Sequence, residues 1–387
     1  MSDYFLIAAE ISGDHLGGSL MQALKRKDPE ARFFGVGGPA MKAEGLDSLF
    51  PISDLAVMGF SNVIRNLSRI RARIRETAEA IVRNPPDAIV MIDSYGFSAQ
   101  VGKRVRKLLP RVPIIKYVSP QVWAWRQGRA KKMRGYFDHV LTLFPFEPKV
   151  LRELGGPPST YVGHPLMERL HELRPSGQEQ ARRDAKPPLL LVMPGSRRAE
   201  IASLSDVFGD ALGMIAKQYG EVEVVLPTLP HVLGQVEAAS ANWPIKPRIV
   251  IMEAEKLAAI RNAHAAIAAS GTASLELALA HVPHVGAYKV RAWEAFIVRR
   301  LVRVSNVLLP NLLLGETVVP EFLQEDCTAG NIADAAIRLL RGGEERERQA
   351  AAFGRMDAIL ETGTSLPSER AAAMVMELLD KSSRAGR

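Results

Sequence analysis

Four short segments of the sequence place acidic, hydroxyl or guanidinium side chains beside glycine, each directly after a run of apolar residues. The first is Ala9-Glu10-Ile11-Ser12-Gly13-Asp14-His15-Leu16-Gly17-Gly18, a glycine-rich turn that opens a helix. A helix start of this kind receives phosphate or acidic groups on its free backbone N–H groups, although a tight strand-to-helix turn needs glycine for its own sake. The dinucleotide fingerprint G-x-G-x-x-G is absent, and the next strand ends in Gly35-Val36-Gly37 where an acidic ribose reader would be expected, so a nicotinamide cofactor is disfavoured. The second segment is Val90-Met91-Ile92-Asp93-Ser94-Tyr95-Gly96. At the carboxyl end of a strand Asp93 is placed either to take a proton from an attacking hydroxyl or to cap the next helix. A carboxyl with a pKa of about 3.9 is a weak base, so the first role needs burial to raise it.

The third segment is Pro194-Gly195-Ser196-Arg197-Arg198-Ala199-Glu200. Gly195 permits close backbone approach, Ser196 donates, and Arg197 offers a fork matched to phosphate oxygens; a surface turn with solvated arginines is the plainer reading. No Gly-Lys-Ser/Thr follows, which excludes an ATPase P-loop. The fourth, Ala268-Ala269-Ser270-Gly271-Thr272-Ala273-Ser274-Leu275-Glu276, puts the donors of Ser270, Gly271 and Thr272 where a diphosphate would rest, with Glu276 placed to accept from ribose hydroxyls. Simple capping by Ser270 or Thr272 explains the turn but not the acid. The eight histidines are dispersed and no Asp-x-Asp pair exists, so the chemistry is expected to need no metal and no cofactor, with helix dipoles and arginine offsetting phosphate charge.

With 50 Lys+Arg against 42 Asp+Glu the chain carries a formal +8, which favours anionic partners. Val63, Leu67, Ile70 and Ile74 recur on one helical face, flanked by Arg65, Arg69, Arg71, Arg73 and Arg75. Such a helix suits an anionic membrane surface, or else packs on its own domain with a solvated basic face. The stretch Arg291 to Arg303, with Trp293 and Phe296, suits a lipid phosphate or, equally, an interdomain or subunit contact. Trp123 and Trp125 precede Arg126, Arg129 and Lys131, but two tryptophans in a Pro-preceded segment are more often core, so no nucleic acid partner is expected.

These segments need elements to hold them. Apolar runs Tyr4–Ala8, Arg32–Val36, Ala88–Ile92, Ile114–Val118 and Val140–Leu143 predict central parallel strands covered on both faces, each followed by helical spacing. Residues Leu173 to Pro188 turn polar and lack apolar periodicity, which predicts a domain boundary. The pattern then restarts with Leu189–Met193, Val222–Leu226, Ile249–Ile251, Ala265–Ala268 and His284–Ala287, and is helical from Gly330. Two doubly wound α/β domains are expected, residues 1–172 and 188–354, with the ligand site in a cleft between them. Cys327 is the only cysteine, no apolar run is long enough to span a bilayer, and no basic leader precedes the first strand, which fits the cytoplasm.

In this order the segments resemble the lipid-A-disaccharide synthase family over nearly the whole chain. The residues that carry the resemblance include Ala9-Glu10 through Gly17, Gly35-Val36-Gly37-Gly38-Pro39, Leu55-Ala56-Val57-Met58-Gly59, Tyr117 through Arg126, Val162-Gly163-His164-Pro165, Pro194-Gly195-Ser196-Arg197, Ser270-Gly271-Thr272, and Leu309-Pro310-Asn311-Leu312-Leu313 with Gln324. The resemblance implies a GT-B fold of two Rossmann-like domains, with helices 355–387 packing back on the first. It implies transfer of 2,3-diacylglucosamine from its UDP derivative to the 6-hydroxyl of 2,3-diacylglucosamine 1-phosphate, with inversion, a β-1,6 bond and release of UDP. UDP would lie against Gly195, Ser196, Arg197, Ser270, Gly271, Thr272, Glu276, Asn311 and Gln324, and the acceptor against Ser12, Gly13 and Asp14, with Asp93 and Glu10 catalytic. Peripheral attachment to the inner membrane is expected through the basic amphipathic face of Val63, Leu67, Ile70, Ile74, Arg69 and Arg73, and a homodimer through the C-terminal helices follows by analogy alone. One departure stands out: the family continues after its Asp as Ala-Pro-Asp-Phe-Asn, whereas Ser94-Tyr95-Gly96-Phe97-Ser98 stands here, leaving Asp93 to act alone or Glu10 to serve. Rival readings are a UDP-GlcNAc 2-epimerase or soluble-acceptor transferase, and a non-catalytic nucleotide-binding scaffold.

Overall fold

The computed structural model describes residues 2–55, 67–290 and 306–385, with side chains to 382. Val63, Arg65, the motif residues 56–59 and the basic stretch 291–303 lie outside the described residues. The chain forms two compact units, one of residues 1–167 with 362–387 and the other of residues 168–361.

The first unit is built on β1 (Asp3–Ala8), β2 (Arg32–Val36), β3 (Ala88–Ile92), β4 (Ile114–Tyr117), β5 (His139–Thr142) and β6 (Ser159–Tyr161), all parallel in the order β2-β1-β3-β4-β5-β6. β3 and β4 are buried at every position because helices cover both faces, which is why they are continuously apolar apart from Lys116. The chain fills one side of β1 with β2, then crosses to the other side to lay down β3. At such a switch point the loops that leave adjacent strands diverge and open a crevice. Ala8 of β1 pairs with Ile92 of β3, so the Glu10 turn and Asp93 emerge side by side from the same sheet edge.

The second unit repeats the plan with β7 (Leu189–Met193), β8 (Glu223–Pro227), β9 (Arg248–Val250), β10 (Ala265–Ala269), β11 (His284–Tyr288) and β12 (Glu321–Leu323), in the order β12-β11-β10-β7-β8-β9. Its switch point lies between β7 and β10, where Met193 pairs with Ala268. The Gly195 and Ser270 turns therefore leave adjacent strands. All four polar segments sit at the two switch points, which is the physical reason for grouping them in pairs.

Three features differ from the sequence-based expectation. β6 and β12 are three-residue edge strands with every residue only half-buried, so they carry no apolar run to read. The polar residues 173–187 are not a bare linker: Gly177–Arg183 is a helix whose start is closed by a capping box between Ser176 and Glu179. It belongs to the second unit, as does the helix Glu344–Leu360; the return to the first unit begins at Thr362 rather than at residue 355.

Candidate active site

In the first unit the site is built around Asp93. The residue has φ 49° and Ser94 has φ 28°, two consecutive non-glycine residues in the left-handed region. Such conformations cost of order 1–3 kcal/mol each and persist only where surrounding structure enforces them. The enforcing group is Lys116, fully buried in β4, whose ammonium donates to the carbonyl of Met91 at 3.2 Å, to that of Asp93, and to that of Tyr117 at 3.4 Å. All three ammonium protons are thus spent on carbonyls at the ends of β3 and β4, where Tyr117 O also accepts from the Asp93 N–H at 3.0 Å and Asp93 O from the Ser98 hydroxyl at 3.1 Å.

The Asp93 carboxylate turns toward the start of the helix Ile11–Lys27. Its Oδ1 accepts weakly from the Ala9 N–H at 3.4 Å, and its buried Oδ2 has no hydrogen-bond partner among the described residues. A Cβ added at Gly13 would sit 1.9 Å from Oδ2, so the carboxylate occupies the space that this glycine leaves. Burial pushes the Asp93 pKa up to about 7; Lys116 pulls it down, Glu10 pushes it further up, and the N–H groups of Ala9 and Glu10 lower it. Burial also brings the Lys116 ammonium down to about 7, with the Asp93 and Glu10 carboxylates opposing. The arrangement stores a carboxylate that is costly to leave ionised and has an open acceptor position, which is what a general base requires. Lys116 was missed in the sequence; the signal was there, a lone cation inside Ile114-Ile115-Lys116-Tyr117-Val118.

The other residues expected to meet an acceptor divide. Ser12 is exposed on the first helical turn and Glu10 is half-exposed at its N-cap. Asp14 departs from the expected role: it is 1% exposed, and its carboxylate accepts from Gly38 at 2.7 Å, Ala40 at 2.9 Å and Met41 at 3.0 Å. These three bonds hold the start of the short helix Pro39–Ala43, and the burial of the carboxylate gives it a structural place instead of one facing a ligand.

In the second unit Gly195 has φ 110° and Gly271 has φ 152°, conformations closed to residues with a Cβ. A Cβ on Gly271 would meet nothing within 4 Å, so it is backbone geometry, and not crowding, that requires glycine at the head of the helix Thr272–Leu279. Ser270 is half-buried, and Gly271 and Thr272 are exposed, which leaves their donors accessible. Across the switch point Glu200 gathers the Ser196 and Arg197 N–H groups at 3.3 Å each and the Arg197 guanidinium at 2.8 Å, fixing the turn with Arg197 59% exposed. Glu276 is buried, and one of its oxygens accepts from Lys256 at 2.7 Å.

Two arginines from the supposed linker brace the other end of the Thr272 helix. Arg183, 4% exposed, donates to the carbonyls of Ala280 at 3.0 Å and His281 at 3.2 Å, and to Ile260 and Arg261 at the end of the helix Glu253–Asn262. Arg174 donates to Leu279 O and pairs with both oxygens of Asp357. Cations at the carboxyl end complement the helix dipole whose amino end faces the Ser270 turn.

Asn311 is a correction. It is fully buried, its amide donates to Val319 O at 2.8 Å and Glu321 Oε1 at 2.7 Å, and its oxygen accepts from Val318 and Val319 at 2.9 Å each. Its four hydrogen-bonding positions are filled, so it shapes the loop before β12 and has nothing left for a nucleotide. Gln324 is half-buried at φ 52° and accepts from the Val290 N–H at 3.4 Å.

The expected membrane face is also corrected in part. In the helix Leu67–Arg83, Ile74 is 5% exposed within the core of the first unit and Ile70 packs against that core, while Leu67 is 38% exposed. Arg73 is held by Asp54 at 2.6 Å and Glu76 at 2.6 Å and lies over the Phe50 ring, whereas Arg69 is exposed. Among the described residues no helix is long and apolar enough to cross a membrane, and no group of three or more His, Cys, Asp or Glu is placed to hold a metal ion.

Paired polar turns at the switch points of two parallel sheets define an α/β protein of the GT-B type, and solved structures agree on the fold. The UDP-GlcNAc 2-epimerase from Neisseria meningitidis bound to UDP-GlcNAc superposes with a TM-score of 0.62 at 11% identity over 98% of this chain and 100% of that one. MurG from Acinetobacter baumannii gives 0.55 at 15% identity over 99% and 100%. The model of the lipid-A-disaccharide synthetase family matches residues 4–375, and the chain belongs to that family. It is 55% identical over 379 residues to the lipid-A-disaccharide synthase of Nitrobacter hamburgensis, covering 98% of this chain and 96% of that protein. The same enzyme of Bradyrhizobium diazoefficiens is 53% identical over 98% and 97%.

Proposed function

We propose that the protein transfers 2,3-diacylglucosamine from its UDP derivative to the 6-hydroxyl of 2,3-diacylglucosamine 1-phosphate at the cytoplasmic face of the inner membrane. The second unit holds the UDP-sugar: the Ser270 turn and Arg197 take the diphosphate, and Glu276, steadied by Lys256, accepts from the ribose. The first unit holds the acceptor, with Ser12 and the Glu10 turn beside Asp93. Asp93 Oδ2 takes the hydroxyl proton as the acceptor oxygen forms its bond to the anomeric carbon. The bond from that carbon to the diphosphate breaks with inversion, and UDP leaves with the charge. Backbone N–H groups and a guanidinium stabilise that charge without a metal ion.

The observation that carries the assignment is the unpartnered, buried Oδ2 of Asp93 at a switch point, in a chain of this family. Gly96 stands where the family pattern has a second acid, which leaves Asp93 as the buried carboxylate of that loop. The test is incubation of the purified protein with both acylated sugars and detection of the disaccharide phosphate by mass spectrometry. Asp93→Asn should lower kcat by at least about a thousandfold, within the range for loss of general base catalysis, while UDP affinity measured by calorimetry stays unchanged. A chelator should leave turnover intact. Full turnover by Asp93→Asn would remove the residue from the mechanism.

A further inference from the structure

Between the helices Leu67–Arg83 and Tyr95–Leu108 of the first unit lies a cavity of about 950 Å³. Leu55, Leu67, Ile70, Ile74 and Phe97 supply its apolar wall, and Ser94 and Gly96, one and three residues after Asp93, line it as well. Its volume is at the upper end of the range of roughly 300–1,000 Å³ in which small-molecule sites fall. Three arginines, Arg71, Arg75 and Arg104, also line it. The nearby acids do not neutralise them, because Asp54 and Glu76 are both taken by Arg73. Among the described residues Arg75 pairs only with Glu79 at 3.7 Å, with both side chains more than half exposed, and Arg104 donates to the carbonyl of Gln100 on its own helix. Arg71 has no ion-pair partner among the described residues.

We propose that this cavity is the acceptor site: an acyl chain of the acceptor fills the apolar interior and its 1-phosphate is bound by Arg71, Arg75 and Arg104. The inference rests on the acyl-sugar transfer proposed above and adds the half of the site that the sequence motifs do not supply. Three features carry it together. The wall is apolar where a hydrocarbon would lie, the uncompensated charge is forked guanidinium matched to phosphate, and the lining includes the residue that follows the base. The amino-terminal part of the helix Leu67–Arg83 then serves recognition: Leu67, Ile70 and Ile74 line the space for the chain of the substrate, Arg71 and Arg75 border the same pocket, and the stripe beyond them packs in the core.

The test is steady-state kinetics with the donor saturating and the acceptor varied, using acceptor with and without its 1-phosphate. Arg71→Ala and Arg104→Ala should each raise the KM for the phosphorylated acceptor roughly tenfold to a hundredfold, the range of a lost charge-assisted contact. The same variants should leave the KM for the dephosphorylated acceptor, the donor KM and UDP affinity unchanged. Gly96→Phe fills the cavity from a position where an added Cβ meets nothing within 4 Å, so it is built to fold. It should raise the KM for a long-chain acceptor and spare a short-chain one. Equal losses with both acceptors, a rise in donor KM, or an unchanged acceptor KM in Gly96→Phe overturns the assignment, as does weakened binding to phosphatidylglycerol vesicles with acceptor KM unaltered. If the wild-type protein makes no disaccharide from these sugars, the transfer reading itself fails, and that outcome is seen before any variant is made.

Discussion

At the scale of single residues, the decisive quantity is how much charge surrounds one buried carboxyl. A base acts in its ionised form, so kcat/KM should climb with pH and level off above about 7, the value to which burial lifts Asp93. The two neighbours push in opposite directions, which gives a signed test. Lys116→Met removes the cation that lowers the Asp93 pKa, so the acid limb should move to higher pH; Glu10→Gln removes the anion that raises it, so the limb should move to lower pH. Identical profiles in both variants would mean that another group titrates. Elsewhere the same accounting turns binding candidates into structural ones. Asn311→Ala strands two N–H groups and one carbonyl, while Glu321 keeps the Val307 and Leu308 N–H groups, and should cost at least about 3 kcal/mol in denaturant unfolding at 1–3 kcal/mol per unsatisfied group. UDP affinity in the remaining folded protein should be unaltered. The placement of Asp93, Gly195 and Gly271 at strand ends was legible because an apolar run followed by glycine or an acid marks where a central strand stops. Asp14 and Asn311 were misread because a polar side chain that bonds ligand and one that bonds backbone look the same in sequence; only the filled hydrogen-bond positions separate them.

At the scale of elements, the helix Leu67–Arg83 tests periodicity against burial. An apolar stripe with arginines beside it is equally compatible with a lipid surface and a protein core, and the contacts of Ile74, Ala78 and Ile81 choose the core. Ile74→Ala should therefore destabilise the protein by about 2–5 kcal/mol, the range for a large-to-small core change, in denaturant unfolding followed by circular dichroism. Leu67→Ala, at 38% exposure, should cost less than about 1 kcal/mol. Comparable losses for both would place Leu67 in the core too. The central strands were readable nearly to the residue because a parallel sheet covered on both faces demands unbroken apolar runs. The polar stretch 173–187 was not, since a short helix whose main work is to present Arg183 to the ends of two other helices needs no apolar face. Arg183→Met should consequently loosen the Thr272 helix, seen as faster amide exchange at its carboxyl end and weaker UDP binding.

At the scale of the whole molecule, the first unit is discontinuous and the second is not, and this asymmetry has consequences for stability. The last helix, Pro367–Ala385, lies against the helix Ile11–Lys27, whose first turn frames Asp93, with Ala371, Ala372 and Val375 fully buried. Arg370 donates to Tyr161 O at the end of β6 and to Thr362 O, and Gly163 lies where an added Cβ would be 2.5 Å from Thr362 and 2.8 Å from Pro367. Two duplicated sheets were evident from the restarting strand pattern, yet the partner of this helix was not. Its buried face is made of small residues, and the larger Met374, Leu378 and Leu379 that mark the stripe are only half-buried. Residues 168–361 by contrast form one continuous stretch that contains both the Gly195 and the Ser270 turn, which we propose hold the nucleotide. A chain that ends at Glu361 should therefore lose turnover and the first unit's thermal transition while still binding UDP. Saturation at a hundred times the dissociation constant stabilises a folded binder by about 2.7 kcal/mol, so UDP should raise the melting midpoint of the truncated chain in scanning calorimetry. Retained disaccharide synthesis would show that the last helix is dispensable to the first unit, and a melting midpoint unmoved by UDP would show that the second does not hold the nucleotide by itself.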